Sequence, residues 1–120
     1  MKKVYIAHPL RGDEHNNVAK ATEICKALAE EGKVIPFSPL HAFGFYQTTR
    51  DQFQVMQYCF ALLSACDEMW VHGNYGISEG CQAEIAFAKC RGIPIRIQAK
   101  GGAGWLDIPN PKRRRMQIAE

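Results

Sequence analysis

The residues most able to do chemistry lie where Asp67-Glu68-Met69-Trp70-Val71-His72-Gly73 runs on into Ser78-Glu79-Gly80-Cys81-Gln82-Ala83-Glu84. The first stretch reads as a buried strand and a short glycine-containing loop, the second as a helix opened by a serine cap. Free N–H groups and the positive end of the dipole at such a helix start offer a seat to an anion. Gly73, Gly76 and Gly80 allow a ligand to approach the backbone closely. Glu84 lies about two turns further in, and helical side chains lean toward the N-terminus, so its carboxylate is directed back at that seat. A carboxylate beside an anion seat suits holding a sugar phosphate while attacking its anomeric carbon. The plainer alternatives stay open here: Ser78 as an ordinary cap, and Glu84 as a flank residue paired with a basic neighbour such as Lys89.

A second cluster comes early in the chain. His8-Pro9-Leu10-Arg11-Gly12-Asp13 follows a short apolar run, and Arg11 with the backbone around Gly12 could grip a phosphate. The alternative is a tight turn with a solvated arginine. Tyr5 sits mid-strand, where a core aromatic with a satisfied hydroxyl is the default. Pointing into a crevice instead, it could hydrogen-bond Glu84 and orient the carboxylate. His8, His15, His41 and His72 carry no pattern of their own and read as surface or crevice-rim residues. Cys59 reads as core.

The elements that must position these residues alternate. Val4-Tyr5-Ile6-Ala7 predicts a first strand, and residues 14–31 a helix with Val18, Ala21, Cys25 and Leu28 on one face and Gly32 as its cap. Val34 to Phe37 predicts a second strand, which Pro36 ends early or places at an edge. Residues 38–50 are an aromatic loop with room for one helical turn, and residues 51–65 a helix with Phe53, Met56, Phe60 and Leu63 on one face. Met69-Trp70-Val71, residues 79–91 and Ile93 to Ile97 supply the third strand, third helix and last clear strand. From Gly101 a glycine-rich, then basic tail packs only through Trp105 and Ile108, so the domain is residues 1–100 and the tail residues 101–120. The fold class that follows is α/β, a flavodoxin- or Rossmann-like three-layer sandwich with a mostly parallel sheet of four to five strands. In such sheets ligands bind beyond the carboxyl ends of the strands, where residues 8–13 and 73–79 both lie. On a helix wheel Glu84 falls about 40° from Ala88 and about 60° from Cys81, beside the apolar stripe.

Composition narrows the classes. The 120 residues make one domain of ordinary globular character, 47% hydrophobic and 22% charged, which argues against wholesale disorder. The formal charge of +3 resides in residues 112–120, where Lys112, Arg113, Arg114 and Arg115 face only Glu120. Residues 1–111 therefore sum to zero, and a nucleic-acid surface is not expected. Five cysteines without metal-ligand spacing, in a chain beginning Met-Lys-Lys-Val, lead us to expect reduced thiols, a cytoplasmic location and no structural zinc. No apolar run is long enough for a membrane span.

On these residues the chain resembles the nucleoside 2-deoxyribosyltransferase superfamily. It looks most like the 2′-deoxynucleoside 5′-phosphate N-hydrolase branch and phage and bacterial relatives. The resemblance runs from about Val4 to Ile97. It rests on Tyr5-Ile6-Ala7 leading to Leu10-Arg11-Gly12, on Asp67 before a strand, and on a Ser-x-Gly-x-x-x-Glu pattern at Ser78, Gly80 and Glu84. It implies that Glu84 is the nucleophile, that Tyr5 positions it, and that Ser78 lies at the 5′ end of the sugar. Arg11 and Gly12 would complete a phosphate site, with His8, Leu10, Asp67, Gly73 and Gly80 as further substrate-binding candidates. A serine at position 78 is similar to the monophosphate hydrolases, since a hydroxyl can donate to phosphate where a carboxylate would repel it. A homodimer or larger homo-oligomer is also implied.

One departure bears on the chemistry. The hydrolase branch places a catalytic Asp eight residues before the position of Asp67, and Cys59 stands there in this chain. A thiol cannot replace a carboxylate that protonates the leaving base or holds the sugar, although Gln57 or Asp51 could compensate. The expected function is cleavage of the N-glycosidic bond of a nucleoside 5′-monophosphate by an N-glycosidase or deoxyribosyltransferase, without metal or cofactor. The aromatic segment Phe43 to Tyr46 would stack on the base. The alternative is a nucleotide-binding or ADP-ribose-like sensor module without turnover.

Overall fold

The computed structural model describes residues 1–46, 52–99 and 104–108. The basic run Lys112 to Arg115 and Asp51 lie outside them. In chain order the elements are β1 (Lys2–Ala7), α1 (Glu14–Glu31), β2 (Val34–Phe37), α2 (Pro39–Ala42), α3 (Gln52–Ser64), β3 (Glu68–Val71), a 3₁₀ turn (Tyr75–Ile77), α4 (Glu79–Arg91), β4 (Ile95–Gln98) and β5 (Trp105–Ile108). They form one five-stranded sheet in the order β2-β1-β3-β4-β5. Every pairing is parallel except that of β4 with β5.

Strand order decides which face each helix covers. The chain moves one way across the sheet from β1 to β2, then back over β1 to β3 and on to β4. Right-handed crossovers therefore put α1 on one face and α3 and α4 on the other. Alternation along β1 sends Tyr5 and Ala7 to the α3/α4 face, where they pack with Met69, Val71, Ile95 and Ile97 of the sheet and Leu63, Ile85 and Ala88 of the helices. Val4 and Ile6, fully buried, turn to the opposite face with Ala21 of α1. The helices end where their glycines permit: Gly32 and Gly92 cap α1 and α4 at φ of 74° and 73°.

Two details of the elements differ from the sequence reading. Trp105–Ile108 of the glycine-rich tail pairs with β4 as a fifth strand. Arg96 explains the docking, because it pairs with Asp107 at 2.8 Å and lies over the rings of Trp70 and Trp105. Phe53, assigned to the apolar face of α3, is 75% exposed, because that helix turns inward only further along, at Cys59 and Leu63. β2 lies at the sheet edge, as Pro36 requires. Among the described residues no helix is long and apolar enough to cross a membrane.

Asp67 is also placed differently from its role as a substrate-binding candidate. It precedes β3, so it lies at the amino end of the sheet, while the loops that follow β1 and β3 open at the carboxyl end. Its carboxylate accepts the Lys3 backbone N–H at 2.8 Å, and its own N–H donates to the Lys3 carbonyl at 2.8 Å, clamping β1 to β3. Asp67→Ala is expected to cost about 1–2 kcal/mol in urea unfolding and to leave ligand affinity unchanged in calorimetry. A loss of affinity at unchanged stability would return Asp67 to the site.

Candidate functional site

The strand order reverses at β1, and loops leaving adjacent strands β1 and β3 part there to form a crevice. Gly73 brings the two loops together. It sits at φ 69°, and a Cβ there would come within 3.1 Å of Pro9 Cδ and 3.2 Å of His8 Nε2. Only glycine fits both the backbone angle and the approach. Asn17 of α1 secures the first loop by donating to the Leu10 carbonyl at 3.0 Å. Below the loops opens a cavity of about 820 Å³.

Glu84 lies at the floor of this cavity, 5% exposed, within the buried stripe Cys81, Glu84, Ile85 and Ala88 of α4. Its partner is not Lys89 but Tyr5, fully buried behind it on β1, whose hydroxyl donates to Glu84 Oε2. Cys59 of α3 is buried beside this pair, close enough for its thiol and the Tyr5 hydroxyl to shift each other's ionisation.

Burial sets the electrostatics. It pushes Glu84 up to about 7, opposed by the Tyr5 hydrogen bond, which favours the ionised carboxylate. Burial, with Glu84 nearby, raises Tyr5 well above its ordinary value and pushes Cys59 and Cys81 up to about 12 each. Both thiols are therefore neutral near pH 7, and Glu84 is the group at the floor that changes charge there. Burial also lowers His8 and brings His72 down to about 4, so both stay neutral.

At the mouth, Ser78 caps α4 by accepting the Cys81 N–H at 3.2 Å, as the plainer reading had it. Its hydroxyl proton remains available to donate. The N–H groups of Glu79 and Gly80 open the helix and have no acceptor within it. A Cβ on Gly80 would meet only Ser78 Oγ at 3.9 Å, so packing does not demand that glycine. His8, Leu10, Arg11 and Gly12 line the cavity from the β1 side, and Gly73, Ser78 and Gly80 from the β3 side. Gly12 is held by its backbone angle, φ 93°. Arg11 lies against the Gln52 side chain at the start of α3.

The structure thus brings together Glu84, Tyr5 and every substrate-binding candidate except Asp67. Of the aromatic segment, Phe43 and Tyr46 line the cavity while Phe45 is 78% exposed. Gln57, offered as a substitute for the missing acid, is exposed on α3. The buried His72 was read as surface or rim; its position one step past β3, edge-on to Trp105 at 5.3 Å, covers it. Among the described residues no group of His, Cys, Asp and Glu gathers to hold a metal ion.

A family model described as a domain of unknown function, DUF7768, matches residues 2–98. The chain belongs to that family. No curated protein matches the sequence. Among solved structures, a 2-deoxyribosyltransferase from Leishmania mexicana superposes with a TM-score of 0.59 at 16% identity, over 92% of this chain and 82% of that one. A 2-deoxyribosyltransferase from the psychrotolerant bacterium Bacillus psychrosaccharolyticus gives 0.56 at 18% identity, over 79% and 70%. This member of the DUF7768 family therefore has the fold of those transferases.

Because its folded-state value is raised above 4.5, Glu84 binds its proton more tightly in the folded protein than in the unfolded chain. That stabilisation is complete below about pH 4.5 and is lost as pH rises through about 7. Glu84→Gln keeps an acceptor for Tyr5 and carries no charge. It is expected to be more stable than the parent at pH 8, by about 3 kcal/mol, and indistinguishable at pH 4 in urea unfolding. Equal stability at both pH values would mean that Glu84 is not a desolvated carboxylate.

Proposed function

We propose that this protein cleaves the N-glycosidic bond of a nucleoside 5′-phosphate, the monophosphate being the simplest substrate, with Glu84 as nucleophile. The observation that carries the proposal is a buried carboxylate oriented by the Tyr5 hydroxyl at the floor of a cavity whose mouth holds the open amides of Glu79 and Gly80. A phosphate on those amides and the Ser78 hydroxyl would set the sugar above Glu84. Glu84 then attacks C1′ through an oxocarbenium-like transition state. The C1′–N bond breaks, the base departs with its electron pair and takes a proton from solvent, and a glycosyl ester forms on Glu84. Water resolves that ester in a hydrolase, a second base in a transferase. Phe43 and Tyr46 face the cavity where the base would stack.

A second reading is favoured by Cys59. The neutral thiol supplies no acid to the departing base, and a protein that binds the nucleotide without turning it over would need none. Incubation with ribo- and deoxyribonucleoside 5′-monophosphates, with chromatography for free base, separates the two. Release is expected for at least one substrate and falls at least about a hundredfold in Glu84→Ala. Its kcat/KM should rise with pH through about 7, since only the ionised carboxylate attacks. Binding without release establishes the sensor reading. Release that survives Glu84→Ala excludes Glu84 as nucleophile.

A further inference from the structure

The cavity is larger, and its described lining residues are more acidic, than a lone phosphomonoester calls for. Its volume of about 820 Å³ lies near the upper end of the roughly 300–1,000 Å³ of small-molecule sites. Among the described residues that line it, the charged groups other than Glu84 are Arg11 and Lys20 against Asp13, Glu14 and Glu79. Among these described residues the acids outnumber the bases. A phosphomonoester brings about −1.5 to −2 charges at neutral pH. A diester, having lost its second ionisable oxygen, brings about −1. The acidic mouth therefore disfavours the monoester. Asp13, Glu14 and Glu79 are exposed, so water and salt reduce the effect to about threefold in affinity.

The rim supplies a second, independent observation. Ile77 ends the turn Tyr75–Ile77 one residue before Ser78, lines the cavity and is 81% exposed. A single exposed apolar residue is ordinary on a protein surface. Placed immediately beyond an anion seat, it meets whatever is attached to the far side of the phosphate.

Resting on the nucleotide reading above, we propose that the ligand's 5′-phosphate is a diester: a dinucleoside phosphate whose 5′-linked nucleoside occupies the floor at Glu84 and whose second nucleoside lies against Ile77. The bond chemistry is unchanged. A Glu84 oxygen replaces the base at C1′ of the 5′-linked nucleoside, and the base leaves with the bonding pair and a proton from water. The phosphodiester stays intact.

The test compares three ligands of one base and sugar on the full chain at pH 8: the nucleoside 5′-monophosphate, its methyl ester at phosphate, and a dinucleoside monophosphate carrying that nucleoside at its 5′-linked end. Affinity is read by calorimetry and base release by chromatography. The methyl ester is expected to bind about threefold tighter than the monoester, and the dinucleoside phosphate tighter again. Glu79→Gln narrows the first gap, and Ile77→Ser narrows the second. A monoester that binds as well as or better than both esters overturns the diester proposal and leaves the nucleotide reading standing. Binding by none of the three overturns both.

Discussion

The hydrogen bond from Tyr5 to Glu84 is the interaction on which the site depends. A lone carboxylate in an apolar helix stripe would be neutralised by desolvation. Here the tyrosine hydroxyl gives the ionised form one strong partner, and the group comes to rest near neutrality. The bond also ties β1 to α4, so the carboxylate's orientation is set by two rigid elements that are far apart in sequence. Cys59 is buried beside the pair, its thiol held neutral near pH 7 by burial. Holding an ionised carboxylate at this water-poor floor costs the fold stability.

Topology supplies the space in front of that carboxylate. Because the strand order reverses at β1, the loops after β1 and β3 diverge above the sheet, and Gly73 brings them close enough to make one crevice. The same reversal puts α3 and α4 on one face, so Cys59, Glu84 and the start of α4 all converge on the carboxyl end of β1. Tyr5 points to that face because strand alternation gives it the same side as Ala7. Very little of this relies on the tail beyond β4, whose strand is held by Arg96, Asp107 and two tryptophans away from the crevice.

Much of this was legible in the sequence, for identifiable reasons. Helices 14–31 and 79–91 have glycine caps and periodic apolar faces, and their bounds agree with α1 and α4. Glu84's direction follows from the lean of helical side chains, whereas the side to which Tyr5 turns stayed open until β1 was placed between β2 and β3. What local pattern could not give was depth and distance across the fold. His72 looked like a rim residue because nothing nearby announces Trp105 above it. Asp67 belonged to a suggestive string, yet strand direction carries it to the wrong end of the sheet. Trp105–Ile108 is too short and too close to glycines to read as a strand; its pairing depends on Arg96, eleven residues before its partner Asp107. Cys59 was visible as a departure only through a family resemblance, and its contact with Tyr5 only through the packing of α3.

The central claim is that Glu84 forms a bond to the anomeric carbon. It is tested most directly by mass spectrometry of the protein after incubation with a 2-fluoro-substituted nucleoside 5′-phosphate, whose electron-withdrawing fluorine slows release of a glycosyl ester. The account predicts a fluorosugar phosphate adduct on the peptide that contains Glu84, absent in Glu84→Gln. Nucleotide that binds intact and leaves Glu84 unmodified, or an adduct on another residue, would contradict it.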